Sequence, residues 1–402
     1  MPSEPLPTGG SVELTRRTIL GMAGLGIAMQ AGPGFAARSL FTAGAEAAWH
    51  PLNLSAARYL TLPASVNDTA LTAVLDSGAT RSVIKDRLAL ELGLPYLGAT
   101  LAGTFTRDVP GSLYRVGELM LDGAAFRHID IASFEMSQVE ILAGNVPLVI
   151  GQDILRQVAF EVQFTQDRIR LLDRAAARSP AGHVRLELQG SGREFPALPA
   201  RIENHGAEHA ILDLGSSVPV SLSRDYAAQI GLLKDRPVST TMTLGVEGSA
   251  VSQIFLARNV RVGPFAMNQV PVCVIEDWEL AQPINLGWPL LAAFNAVFDL
   301  GGDALWLQGD PARIAAPFPR DRSGLGGQRR ADGIMVRHVA MDSPAWRAGL
   351  REGDTIVAID GRTIDAAFPP PGERLGQNPA GTRYQLTLAD RRNLTLTLAD
   401  YF

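Results

Sequence analysis

The sequence predicts a mainly β protein with two similar halves on one chain, followed by a smaller β-rich module carrying one or two helices. Three observations carry that prediction: a turn-rich, aromatic-poor composition, an internal repeat whose landmarks keep register, and a change of pattern after about residue 322. Of the 402 residues, 46% are hydrophobic and 19% charged, enough to fill two or three separate cores. Forty Gly and 26 Pro against 6% aromatic residues point to many tight turns between short strands. The net charge of −5 includes no long basic run, so no phosphate-neutralising surface is built and nucleic acid is not expected as a partner. The single cysteine, Cys273, excludes an intramolecular disulfide and a clustered thiolate metal site.

Residues 1–47 read as an address rather than as fold. Arg16 and Arg17 precede a weakly hydrophobic, Gly-rich stretch running to about Ala31, the pattern of a twin-arginine signal peptide. Ala43-Gly44-Ala45 and Ala45-Glu46-Ala47 offer small-x-small cleavage sites, so a mature chain starting near Ala48, in the periplasm or another extracytoplasmic space, is expected. Left uncleaved, the same stretch would anchor the protein at a membrane.

The first half, residues 48–177, and the second, 178–310, repeat one another. Asn67 and Asn204 mark turns nine residues before Asp76 and Asp213, and each Asp ends an apolar strand. A short helical pattern follows in each half, Ile84 to Leu92 and Ser223 to Ile230, closed by Gly93 or Gly231 as left-handed caps. Next comes a hairpin with a turn-rich tip, around Val109 and Gly111 in one half and Val246 and Gly248 in the other. Leu148-Val149-Ile150-Gly151 and Ile284-Asn285-Leu286-Gly287 then lead into a short helix and a closing strand.

An Asp at the end of an apolar strand, followed by a turn of small residues, presents a carboxylate at the floor of a cleft. Gly78 and Gly215 permit that turn, in Asp76-Ser77-Gly78-Ala79-Thr80 and Asp213-Leu214-Gly215-Ser216-Ser217. Two such carboxylates meeting across a pseudo-twofold axis repel, share one proton and activate a water between them. Ser216 offers Asp213 a hydrogen-bond donor for which Ala79 has no counterpart beside Asp76, so Asp213 is expected to be the more acidic of the pair.

These loops, with the two apolar segments ending at Gly151 and Gly287, resemble the retropepsin-like aspartic peptidases, specifically bacterial members carrying both halves on one chain, over about residues 55 to 308. The resemblance implies acid-protease β-barrel halves, catalysis by Asp76 and Asp213 without metal, cofactor or covalent intermediate, and loop support from Ser77, Gly78, Thr80, Gly215 and Ser216. It also implies flaps at Val109, Gly111, Val246 and Gly248 that close over a protein or peptide substrate, and activity as a monomer, since one chain supplies both carboxylates. One departure stands out. The residue after each Asp carries a hydroxyl that bonds to the opposite loop in that family; Ser77 does, Leu214 does not. A degenerate second half, binding peptides without cutting them, is the alternative reading.

Residues 311–321, rich in Pro and Arg, read as a linker to a module at 322–402. That module has a strand Gly333 to Val339, a helix from Pro344 to Gly349, the run Leu350 to Gly361 and strands Arg383 to Leu388 and Asn393 to Leu398. It resembles a bacterial PDZ domain, which implies that a sheet edge takes a ligand peptide or chain terminus and that Leu325, Gly326 and Gly327 hold its carboxylate. A docking or lid role without free peptide is the other reading. His205-Gly206-Ala207-Glu208-His209 matches a zinc-peptidase pattern that requires a helix, but the repeat puts it on a β-turn, so no metal is expected. Cys273 reads as core.

Overall fold

The computed structural model describes residues 48–52, 59–104, 108–136, 146–175, 177, 180–190, 195–245, 248–365, 367–370 and 373–402. Residues 1–47, read from the sequence as a signal peptide, lie outside them. The chain is mainly β, with few and short helices.

In the first half, alternation along Thr61–Val66 buries Leu62, Ala64 and Val66 on one face. Asn67 and Asp68, both at positive φ, turn the chain directly into Thr69–Leu75. The last residues of that strand, Ala73 to Leu75, are fully covered, and Asp76 follows at once. The sheet runs in the spatial order Thr61–Val66, Thr69–Leu75, Leu148–Ile150, Val83–Lys85, Ala124–Phe134, Asp108–Leu121, Tyr96–Gly103. Thr61–Val66 also pairs with Asp108–Leu121, closing the sheet on itself. The second half repeats this with Ala197–Ile202, His205–Asp213, Ile284–Gly287, Val220–Ser223, Phe265–Ile275, Gly248–Val262 and Ser239–Gly245, closed by pairing of Ala197–Ile202 with Gly248–Val262. In both halves the Asp strand lies parallel to the segment ending at Gly151 or Gly287. The helices Asp86–Glu91 and Arg224–Gln229 are followed by Gly93 and Gly231, at φ 61° and 64°.

A six-stranded sheet joins the halves. Its centre pairs Ala159–Gln163 with Phe294–Asp299, and the directly opposed Phe160 and Phe298 stack with ring centroids 4.7 Å apart. One buried apolar cluster runs through both halves and includes Leu75, Phe160, Leu212 and Phe298. A second cluster lies between the halves and combines Val74, Val83 and Val149 of the first with Ile211, Ile254 and Cys273 of the second.

The hairpin of the first half differs from expectation. Gly103 pairs with Asp108, and Pro110 and Gly111 lie inside the strand opposite Leu101 and Thr100 rather than at a tip. Close packing explains Gly111: a Cβ there would come within 2.3 Å of the Phe134 ring and 2.4 Å of the Ser133 carbonyl. In the second half Gly245 pairs with Gly248 across the expected tip, and Val246 lies outside the described residues.

Within 311–321 the chain forms a helix, Pro311–Ala315, capped by the Asp310 side chain. Beyond it five strands, Leu325–Arg330, Gly333–Val339, Thr355–Ile359, Arg383–Leu388 and Asn393–Thr397, form a separate sheet, with the short Arg362–Thr363 beside Thr355–Ile359. The helix Pro344–Ala348 is capped by Ser343 and ended by Gly349 at φ 93°. This module packs on the second half, where Thr240 Oγ1 lies 2.9 Å from His338 Nε2. Its final residues return to the body: Arg320 donates to the Phe402 carbonyl at 2.9 Å, Tyr401 donates to Asp321 at 3.1 Å, and the Phe402 ring joins the cluster between the halves.

Candidate active site

Asp76 and Asp213 are brought together at the floor between the halves, both buried. Each loop folds its own N–H groups onto its carboxylate. Asp76 Oδ1 accepts from Gly78 N at 2.8 Å and Ala79 N at 3.2 Å, and Asp213 Oδ1 accepts from Gly215 N at 2.9 Å. The two carboxyl groups lie close enough that each alters the ionisation of the other. Each rests over the glycine of the opposite loop: a Cβ on Gly78 would lie 2.7 Å from Asp213 Oδ1, and one on Gly215 would lie 2.4 Å from Asp76 Cγ. The glycines are therefore required twice, for the turn and for the approach of the facing carboxylate.

Burial, and then the charge of Asp213, push the Asp76 carboxyl well above its ordinary value. Burial also raises Asp213, but hydrogen bonds from Asn285 and the Gly215 N–H oppose the rise. Asp213 is thus the member that ionises first, and Asp76 keeps the shared proton. The source of this asymmetry differs from the one expected. Ser216 gives Asp213 its backbone N–H, while its hydroxyl donates to the Val218 carbonyl at 3.3 Å; Ala79 gives Asp76 an equivalent backbone N–H. The distinguishing donor is Asn285 Nδ2, 2.9 Å from Asp213 Oδ2.

The loops are tied together by Ser77, whose hydroxyl donates to the Leu212 carbonyl at 2.6 Å and accepts from Leu214 N at 3.0 Å. No reciprocal bond comes from Leu214, whose side chain is fully buried in the main core. Behind the first loop, Gln152 Nε2 donates to the Ser77 carbonyl at 3.0 Å. Arg156 holds Gln152 Oε1 and reaches the Leu300 and Gly190 carbonyls. Sequence reasoning missed Gln152, Arg156 and Asn285; the break in repeat symmetry between Val149 and Asn285 was the available signal. Thr80 is half-buried at the end of its loop. Val109 packs on the cluster between the halves, and Gly248 takes φ 121° at the base of the second hairpin.

Leu325, Gly326 and Gly327 form the start of an edge strand paired with Gly333–Val339. The Leu325 N–H is donated to Ser323 Oγ at 3.1 Å, and a Cβ on Gly326 would lie 2.8 Å from Met242 Cβ of the second half. The segment His205–Asp213 is a strand, which denies His205 and His209 the helical spacing that the zinc pattern needs. Cys273 is buried in the wall between the halves, which pushes its thiol up to about 12 and keeps it neutral.

Comparison with known families places the same two-part repeat on record. The aspartyl protease model matches residues 62–154 and again 198–290, and a PDZ domain model matches 335–383. A protein of Halomonas elongata named "Probable periplasmic serine endoprotease DegP-like" is 26% identical over 121 residues, 29% of this chain and 25% of that protein. "Putative serine protease HhoA" of Synechocystis is 45% identical over 69 residues, 17% of each. The chain thus spans about a quarter or less of those relatives, too little to carry over their serine chemistry, and it has no Gly-x-Ser-x-Gly motif. The chain thus carries two regions similar to the aspartyl protease family, whose aspartates the fold brings together, and a C-terminal region that matches a PDZ domain.

Proposed function

We propose that the protein is an endopeptidase that hydrolyses peptide bonds of extracytoplasmic proteins through the Asp76/Asp213 pair. The observation that carries this reading is the reciprocal seating of each carboxylate over the opposite loop's glycine. The ionised Asp213 takes a proton from a water as that water attacks the scissile carbonyl carbon. Asp76 gives its proton to the carbonyl oxygen, forming a neutral gem-diol. Collapse breaks the C–N bond: Asp76 recovers the proton from a gem-diol hydroxyl, and the proton held by Asp213 passes to the departing amine. Both aspartates return to their starting states. The PDZ domain would bring in substrate or partner peptides by strand addition.

Export is part of the proposal, supported by Arg16 and Arg17 ahead of the Gly-rich apolar stretch; an uncleaved stretch would leave the enzyme membrane-anchored. Monomeric action is also proposed, since one chain holds both carboxylates. A second reading, a cleft that binds peptides without cutting them, is favoured by Leu214, which cannot return the hydroxyl bonds that Ser77 makes across the loops. Cleavage of an unfolded-protein mixture from mildly acidic to neutral pH separates the two. The peptidase reading expects activity lost in both Asp76→Asn and Asp213→Asn. Full activity in either variant refutes the shared-proton mechanism, and peptide binding without cleavage by the wild type establishes the second reading.

A further inference from the structure

The two halves build the walls of the cleft from matching strands, but with different chemistry. In the first half Val74 pairs with Val149, and Val149 with Val83, which pairs with Ala132. In the second half the same ladder reads Ile211 with Asn285, Asn285 with Ser221, and Ser221 with Cys273. Partners in a ladder share a face of the sheet. Ile211 and Cys273 belong to the cluster between the halves, and Asn285 touches Asp213, so Ser221 and Asn285 face the interface between the halves beside the dyad. Two valines of the first wall are thus replaced by a hydroxyl and a carboxamide beside the catalytic pair.

Both polar side chains are at least nine-tenths buried, with 0% of Ser221 and 1% of Asn285 exposed. Neither Ser221 Oγ nor Asn285 Oδ1 has a hydrogen-bond partner among the described residues. Such groups are costly unless something pairs with them in use. They are covered as fully as the carboxylates themselves, at 0% and 2%, and Asn285 is in direct contact with Asp213.

We propose that Ser221 and Asn285 form a polar specificity subsite that takes an uncharged, hydrogen-bond-donating side chain, that of Asn, Gln, Ser or Thr, on one side of the scissile bond. The matching subsite on the other side, lined by Val74, Val83 and Val149, takes an apolar side chain. This rests on the peptidase reading and names its substrate class. Asn285 Oδ1 accepts from the incoming donor, and the Ser221 hydroxyl donates or accepts beside it. An apolar residue leaves both unpaired, and that loss, rather than size, discriminates. An acidic residue meets the Asn285 carbonyl and the Asp213 charge.

Cleavage-site profiling with a peptide library tests this. The wild type is expected to cut between an apolar residue and one of the four donor residues, with kcat/KM about tenfold or more higher for Thr over its isostere Val, or Asn over Leu, at that position. Ser221→Val and Asn285→Val should each bring that ratio down towards one. Apolar residues on both sides in the wild type, or an unchanged ratio in both variants, overturn the subsite and leave the peptidase reading standing. If a variant fails to fold, the wild-type profile decides alone. Absence of any Asp76-dependent cleavage overturns the peptidase reading and the subsite with it.

Discussion

Replacing Ser77 by Ala removes both hydrogen bonds between the active-site loops, the 2.6 Å bond to the Leu212 carbonyl and the 3.0 Å bond from Leu214 N. Ser77 is fully buried, so water does not replace them. Two neutral hydrogen bonds contribute about 0.5–1.5 kcal/mol each, and leaving the Leu214 N–H without a partner adds a desolvation cost of about 1–3 kcal/mol. A destabilisation of about 2–6 kcal/mol follows, read as a lower urea midpoint at unchanged m-value. Because Leu214 has no hydroxyl to hold the loops from the other side, activity should fall further than stability alone accounts for at a temperature where the variant remains folded. Ser77→Thr keeps the hydroxyl and should retain more of both. A Ser77→Ala variant within about 0.5 kcal/mol of wild type, with wild-type kcat, would refute the reasoning that the Ser77 hydroxyl holds the loops together.

The raised Asp76 carboxyl has a consequence for stability. A carboxyl whose folded pKa is raised favours the fold in its protonated form; the native state then loses stability relative to the unfolded chain as pH rises from the ordinary carboxylate value through the raised one. Asp76→Asn should therefore raise the melting temperature at neutral pH and change it little at pH 3; equal shifts at both pH values would contradict this. Gly111→Ala forces a Cβ against the Phe134 ring and the Ser133 backbone, and should cost about 1–3 kcal/mol in chemical denaturation, whereas a turn-tip glycine of ordinary φ would tolerate it.

The sequence by itself determined the duplication, the two Asp loops, the capped helices and the late β module. Each follows from local chemistry: alternating burial, turn residues at fixed offsets, and glycines where φ is positive. It also exposed Leu214 as a break in symmetry. It misplaced the hairpin tip of the first half, because Pro110 and Gly111 carry the composition of a turn, whereas Gly111 answers to a ring packed against it from Phe134 in the neighbouring strand. The asymmetry of the dyad was expected from Ser216, one position away in the loop, but it is set by Asn285, 72 residues further along the chain. The support from Gln152 and Arg156 was equally hidden. Only the tertiary structure decides such points, because a buried carboxylate is tuned by whatever donor the neighbouring parallel strand delivers, and strand pairing across a long loop has no local sequence signature.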